Sequence, residues 1–318
     1  MNAPFDLAPS TALLEVGAQL QQAAYNFTTI TPASHARVLA RPGATWGTTL
    51  ADVFGWSKPF VPATLAPALL EAMREACIII DEDDDDLGMR SCLRASTLDG
   101  NLFFHSSFPT RAADSVFFGP DTYRFVRALH AVLARRTAVV ERAVDIGCGS
   151  GAAAVALALH YPHAHVIASD INRQALRLTQ VNAHMAGASN LTVAYSDLLD
   201  HLDGNFDLIT ANPPYLLDPD QRAYRHGGGN LGEGLSLDIV RAAITRLNPG
   251  GELLLYTGVA IVDGHDAFRS NATALLRHAG IRFHYSEIDP DVFGEELAQS
   301  AYASADRIAA VVLHATRG

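Results

Sequence analysis

The 318-residue chain holds a single lysine, Lys58, among its 23 basic residues, set against 34 acidic ones, for a net charge of −11. So little positive charge argues against a nucleic-acid backbone as partner, because that affinity comes mostly from cationic side chains neutralising phosphates. Long apolar runs are missing as well. Nothing approaches the ~20 residues that a bilayer-spanning helix needs, so no membrane partner is expected. The first stretch, MNAPFDLAPSTALLEV, lacks a basic region followed by an apolar core, and no secretory leader is expected. Cysteine is scarce and odd in number: Cys77, Cys92 and Cys148 argue against a disulfide framework and fit a reducing, cytoplasmic setting. The histidines show no Cys/His spacing of a metal site. Their densest cluster, HYPHAH at 160–165, reads as a solvated loop after a helix.

What the chain has falls into two textures. Residues 1–115 form a smaller N-terminal region of helices and a hairpin, expected to select the substrate and resembling a winged helix in outline. TLAPALLEAMREACIII carries Leu65, Leu69, Met73 and Ala76 at helical spacing, with Pro67 suited to a first turn. The acidic run DEDDDD at 81–86 is expected in solvent, since adjacent like charges repel. Asp99-Gly100 between two strand-like runs predicts a tight hairpin. The charge to residue 115 is −6, the wrong sign for a DNA-reading wing. Residues 116–318 alternate strands and helices from DTYRFVRALHAVLA to RIAAVVLHAT. That pattern predicts an α/β fold, a doubly wound, mainly parallel seven-stranded sheet covered on both faces. NPGG at 248–251 should turn the chain into a strand, and Phe268, Ala272, Leu275 and Ala279 should form the inward face of the helix after it.

Ligands of such sheets bind at the carboxyl ends of the strands. The first strand ends in DIGCGSG, with Asp145, Gly147, Gly149 and Gly151. Its glycines admit a close backbone approach, and the helix that follows presents amide groups and the positive end of its dipole. The second strand ends in Asp170, whose carboxylate can accept both hydroxyls of a ribose. The third ends in Ser196-Asp197, an acceptor for an adenine amino group. A ligand-free turn and an NAD site are the competing readings of GCGSGA. Asp145 disfavours a pyrophosphate there and suits a cationic amino group. Cys148 reads as a small packing residue rather than a nucleophile.

The fourth strand runs LITANPPYLL. Two consecutive prolines cannot continue a buried strand, so it stops at Asn212-Pro213-Pro214-Tyr215. VDIGCGSG, Asp170, Asp197 and NPPY, in this order and spacing, resemble the class I S-adenosylmethionine-dependent methyltransferases. More narrowly, they resemble the branch that methylates amide or amino nitrogens, including the release-factor glutamine methyltransferases. FFGPDTYRF (117–125) is similar to the segment before the cofactor domain of that branch, and GGGNLGEGLSLDIV (227–240) to its glycine-rich stretch after the acceptor motif.

The resemblance implies a Rossmann-like fold over 116–318 and S-adenosyl-L-methionine as cofactor. It implies a cofactor site drawn from Asp145, Gly147, Gly149, Gly151, Asp170, Ser196, Asp197 and Asn212, and an acceptor site of Asn212, Pro213 and Tyr215. An amide nitrogen is a poor nucleophile because its lone pair is delocalised, and positioning alone can contribute ~7–11 kcal/mol. Asn212 would accept one hydrogen of the target NH2 through its side-chain oxygen, the Pro213 carbonyl the other, and Tyr215 would offer a flat wall. The acceptor is expected to be a protein side chain or a small molecule. A nucleic-acid methyltransferase acting on an exocyclic base amine is the alternative, with the acidic charge against it. A non-catalytic binding module is disfavoured by Asn212 and the intact glycine loop, and an NAD-dependent oxidoreductase by Asp145 and NPPY. EIDPDVFGEEL (287–297) sets acids and Phe293 between the last two strands, where they could line the substrate entrance or form an acidic surface loop.

Overall fold

The computed structural model describes residues 10–43, 45–81, 88–220, 222 and 224–318. Most of the acidic run at 81–86 therefore lies outside the described residues; Asp81 itself is exposed at the end of a strand. The N-terminal region opens with four helices, α1 (Thr11–Gln22), α2 (Pro32–Leu39), α3 (Leu50–Phe54) and α4 (Pro67–Glu75). Pro67 occupies the first turn of α4, as its spacing predicts. Two antiparallel hairpins follow, β1 (Ile79–Asp81) with β2 (Met89–Ser91), and β3 (Leu93–Leu98) with β4 (Asn101–Ser106). The second closes at Asp99-Gly100, where φ is +52° and +78° and Leu98 pairs with Asn101. This is the two-residue turn in which both central residues take positive φ, matching the twist of the strands.

The larger region is built from α5 (Pro120–Leu133), β5 (Arg142–Ile146), α6 (Ala152–His160), β6 (His165–Asp170), α7 (Arg173–Met185), β7 (Leu191–Tyr195) and β8 (Phe206–Ala211). It continues with α8 (Gly234–Arg246), β9 (Leu247–Val262), β10 (His265–Asp266), α9 (Ala267–His278), β11 (Arg282–Asp289) and β12 (Arg307–Thr316). The sheet order is β11-β12-β9-β8-β5-β6-β7, with β10 paired to β9. Strands β5 to β9 run parallel, and β11 and β12 join antiparallel at one edge. This is the doubly wound, mainly parallel sheet expected of a class I methyltransferase fold. NPGG at 248–251 bulges out of the ladder: Phe206 pairs with Leu247, and pairing resumes at Leu208 with Glu252.

Both faces are covered, so consecutive residues are apolar in the middle of β5 (Ala143, Val144) and of β8 (Leu208, Ile209). Ala143, Leu208 and Leu254 pack under α5 and α6, while Val144, Ile209 and Leu253 pack under α8 and α9. The inward face of α9 is Phe268, Ala272 and Leu276; Leu275 is half-buried and Ala279 exposed.

Helix α7 serves two cores. Leu176 and Ala183 face the sheet, whereas Ala175, Leu178 and Val181 pack with Leu13, Val16, Leu20 and Phe104 of the N-terminal region. Asn182, fully buried, completes the join. Its Oδ1 accepts from the Phe104 N–H at 2.8 Å, and its Nδ2 donates to the carbonyls of Phe104 at 3.0 Å and Ser150 at 2.8 Å. No helix among the described residues is long and apolar enough to cross a membrane.

Candidate active site

Strand order fixes where the site lies. β5 and β8 are neighbours although two strands, β6 and β7, separate them in sequence, and Ile146 pairs with Ala211. The glycine loop after β5 and the Asn212–Tyr215 turn after β8 therefore leave the sheet side by side, one strand spacing (~4.8 Å) apart. This is the topological switch point, from which β6 and β7 extend one way and β9 the other. A cleft opens there, lined by Asp145, Gly147, Gly149, Asp170, Ser196 and Asp197 on one side and by Asn212, Pro213, Pro214 and Tyr215 on the other.

In the glycine loop, Gly147 and Gly149 have φ of +66° and +55°, and a side chain on either would meet open space or only the Phe117 carbonyl at 3.9 Å. The free space thus reaches the backbone itself. Gly151 does not line the cleft, although it was expected among the cofactor contacts. It caps α6 with φ +81°, and a Cβ there would lie 2.7 Å from Thr179. Its smallness serves the packing of the loop on α7. Cys148 is buried beside Thr179, its sulfur 3.4 Å from Oγ1, and burial pushes its thiol up, in keeping with packing.

Asp145 is buried, and its Oδ1 accepts from the Thr210 hydroxyl at 2.9 Å. Burial pushes its carboxyl up to about 7, with a further contribution from the neighbouring Asp170. Asp170 accepts the Gly149 N–H on Oδ2 at 3.0 Å and the Asn172 N–H on Oδ1 at 2.8 Å; burial raises its pKa too. Each of these oxygens keeps a lone pair for a further donor. The Ser196 hydroxyl is engaged inside its own turn, accepting from the His201 N–H at 3.2 Å. Asp197 is exposed, and its carboxylate makes no hydrogen bond among the described residues.

Asn212 is half-buried, and its side-chain amide has no hydrogen-bond partner among the described residues. Tyr215 is the opposite case. Its hydroxyl donates to Asp121 Oδ2, its ring meets Phe293 edge-on at 5.9 Å, and burial raises its pKa strongly. A Cβ on Gly258 would lie 2.2 Å from that ring, and one on Gly232 2.0 Å from the Tyr215 carbonyl. The glycine-rich stretch after the acceptor motif thus packs on the motif's own backbone.

Sequence reasoning missed Asp121, Phe125, Ile171, Tyr224 and Arg225, which also line the cleft. For Asp121 a signal existed in the FFGPDTYRF resemblance. Arg225 is joined to Glu296 and lies 3.5 Å from Asp218, a long-range pairing that leaves no local pattern. Phe293 does line the cleft.

Residues 125–260 match the model of the methyltransferase small domain. The chain is 34% identical over 168 residues to a release factor glutamine methyltransferase of Deinococcus radiodurans, covering 49% of this chain and 55% of that one. It is 39% identical over 137 residues to a namesake from Geobacter sulfurreducens, covering 39% and 48%. A ribosomal protein uL3 glutamine methyltransferase of Neisseria meningitidis is 34% identical over 133 residues, covering 38% and 43%. The chain spans about half the length of the curated relatives it matches. The matched residues 125–260 hold the glycine loop, the acidic strand ends and the acceptor turn.

Proposed function

We propose that the protein is an S-adenosylmethionine-dependent N-methyltransferase whose acceptor is the side-chain amide of a protein glutamine. The observation that carries this reading is the Asn212 amide, unpartnered among the described residues, followed by two prolines at the end of the strand next to the glycine loop and opening on the same cleft. The names of the glutamine-methylating relatives support the choice of acceptor. The residues present fit the cofactor. Asp145 is a buried carboxylate with no cationic partner among the described residues, Asp170 has spare lone pairs, and Gly147 and Gly149 leave the backbone bare. Asp145 would attract the ammonium end, Asp170 the ribose hydroxyls and Asp197 the adenine amino group. When bound, the cofactor supplies a methyl group activated on a sulfonium.

The rest is the work of this chain. Asn212 Oδ1 accepts one hydrogen of the incoming NH2, and the Pro213 carbonyl accepts the other. Two fixed acceptors stabilise positive charge as it grows on nitrogen and cost no reorganisation at that moment. Tyr215 and Phe293 wall the slot. In this reading residues 1–115 select the protein substrate, and the enzyme works in the cytoplasm. The test is incubation of the full chain with labelled cofactor and, separately, purified release factor, ribosomal protein uL3, and protein-free RNA and DNA, with the modified residue or base located by mass spectrometry. Label on a glutamine supports the reading. Label only on a nucleic-acid base amine would replace it with the alternative.

A further inference from the structure

Asp121 is a carboxylate in the first turn of α5, 3% exposed, with three donors on its two oxygens. Tyr215 donates to Oδ2. Tyr256, from β9, donates to Oδ1 at 2.6 Å, and Arg124 reaches the same oxygen at 3.1 Å. Arg124 also pairs with Asp289 at 2.8 Å, at the base of the loop that carries Phe293. One buried carboxylate thus connects the acceptor turn, the adjoining strand and the opposite wall of the slot. Tyr215 cannot shift toward β9, because Gly258 already lies against its ring. With the ring held from behind and the hydroxyl held at its end, the backbone from Asn212 to Tyr215 has one placement. A structural carboxylate needs no such position. This one lines the cleft beside Thr122 and Phe125, and its bond to Tyr215 ends three residues from the amide that would receive the substrate.

We propose that Asp121 is a positioning residue for methyl transfer: by holding the Tyr215 hydroxyl it fixes the Asn212-Pro213 acceptors against the target amide. The inference rests on the amide-acceptor reading above. Its chemistry is specific. A carboxylate accepts two phenol hydrogens at once, whereas the amide of an Asp121→Asn variant presents a donor on one side and leaves one phenol without an acceptor.

The test uses the full chain and two probes, S-adenosylhomocysteine and a bisubstrate compound. In the latter, nitrogen replaces the cofactor sulfur and carries, through a two-carbon linker, the nitrogen of propanamide, the end of a glutamine side chain. Wild-type protein should bind the bisubstrate compound at least tenfold more tightly than S-adenosylhomocysteine by calorimetry. Asp121→Asn and Tyr215→Phe should each lose most of that gain while holding S-adenosylhomocysteine within about threefold, and the double variant should be no worse than either single one. If Asp121→Asn does not fold, Tyr215→Phe reads the same hydrogen bond from its other end. Retention of the gain in Tyr215→Phe, or additive losses in the double variant, would overturn the positioning role. Absence of any gain in the wild type would overturn the amide-acceptor reading and this inference with it.

Discussion

Replacement of Asn182 by alanine probes the joint between the two regions. The side chain makes three buried hydrogen bonds, to the N–H and C=O of Phe104 and to the C=O of Ser150. It acts toward β4 as a third strand would. Alanine strands one donor and two acceptors where water does not reach, and at ~1–2 kcal/mol for each group the loss is about 3–6 kcal/mol of stability. That is a large share of the ~5–15 kcal/mol a folded protein typically has. Urea denaturation followed by circular dichroism measures the loss. The second consequence is functional. Ser150 belongs to the glycine loop, so freeing its carbonyl should weaken S-adenosylhomocysteine by about tenfold, or ~1.4 kcal/mol. A loss below ~0.5 kcal/mol, within the range of an ordinary surface change, together with unchanged ligand affinity, would refute the idea that α7 carries the N-terminal region and the cofactor loop as one unit.

The same joint predicts that a chain starting at residue 116 will not bind S-adenosylhomocysteine, because Ala175, Leu178 and Val181 would lose their packing partners; calorimetry on the truncated protein decides. Asn212→Ala should keep the fold and cofactor affinity and slow single-turnover transfer by ~10²–10³-fold, the scale of one preorganised polar contact. For Asp145 the sign runs against the usual carboxylate. Its folded-state pKa, about 7, lies above the ordinary 3.8. Its contribution to the stability of the unliganded chain is therefore full below 3.8 and lost as pH rises through 7. Pairing with a cationic amino group needs the ionised form, so S-adenosylhomocysteine affinity should rise with pH through 7 with release of a proton. Calorimetry in buffers of different ionisation enthalpy reads that proton, and Asp145→Asn should abolish it. Cys148→Ala should leave transfer intact; its inactivity would make the buried thiol more than a packing group.

The alternation of strands and helices, the tight turn at Asp99-Gly100 and the stop at Asn212-Pro213 were legible because each depends on local properties: periodicity, positive φ and missing N–H donors. Other features belong to the tertiary structure alone. The sequence does not show that Ile146 and Ala211, sixty-five residues apart, are register partners, and it is this that brings the glycine loop and the acceptor turn to one cleft. Nor does it show that Gly151 lies against Thr179. A glycine dictated by a neighbouring helix and one dictated by a ligand look the same in a string of letters. Tyr215 reads as an open aromatic wall until the fold brings Asp121 to its hydroxyl from ninety-four residues away. Local chemistry fixes which side chains stand at the strand ends. Which of them are already satisfied by the protein, and which remain free for a substrate, depends on contacts between residues far apart in the chain, and only the folded structure sets those.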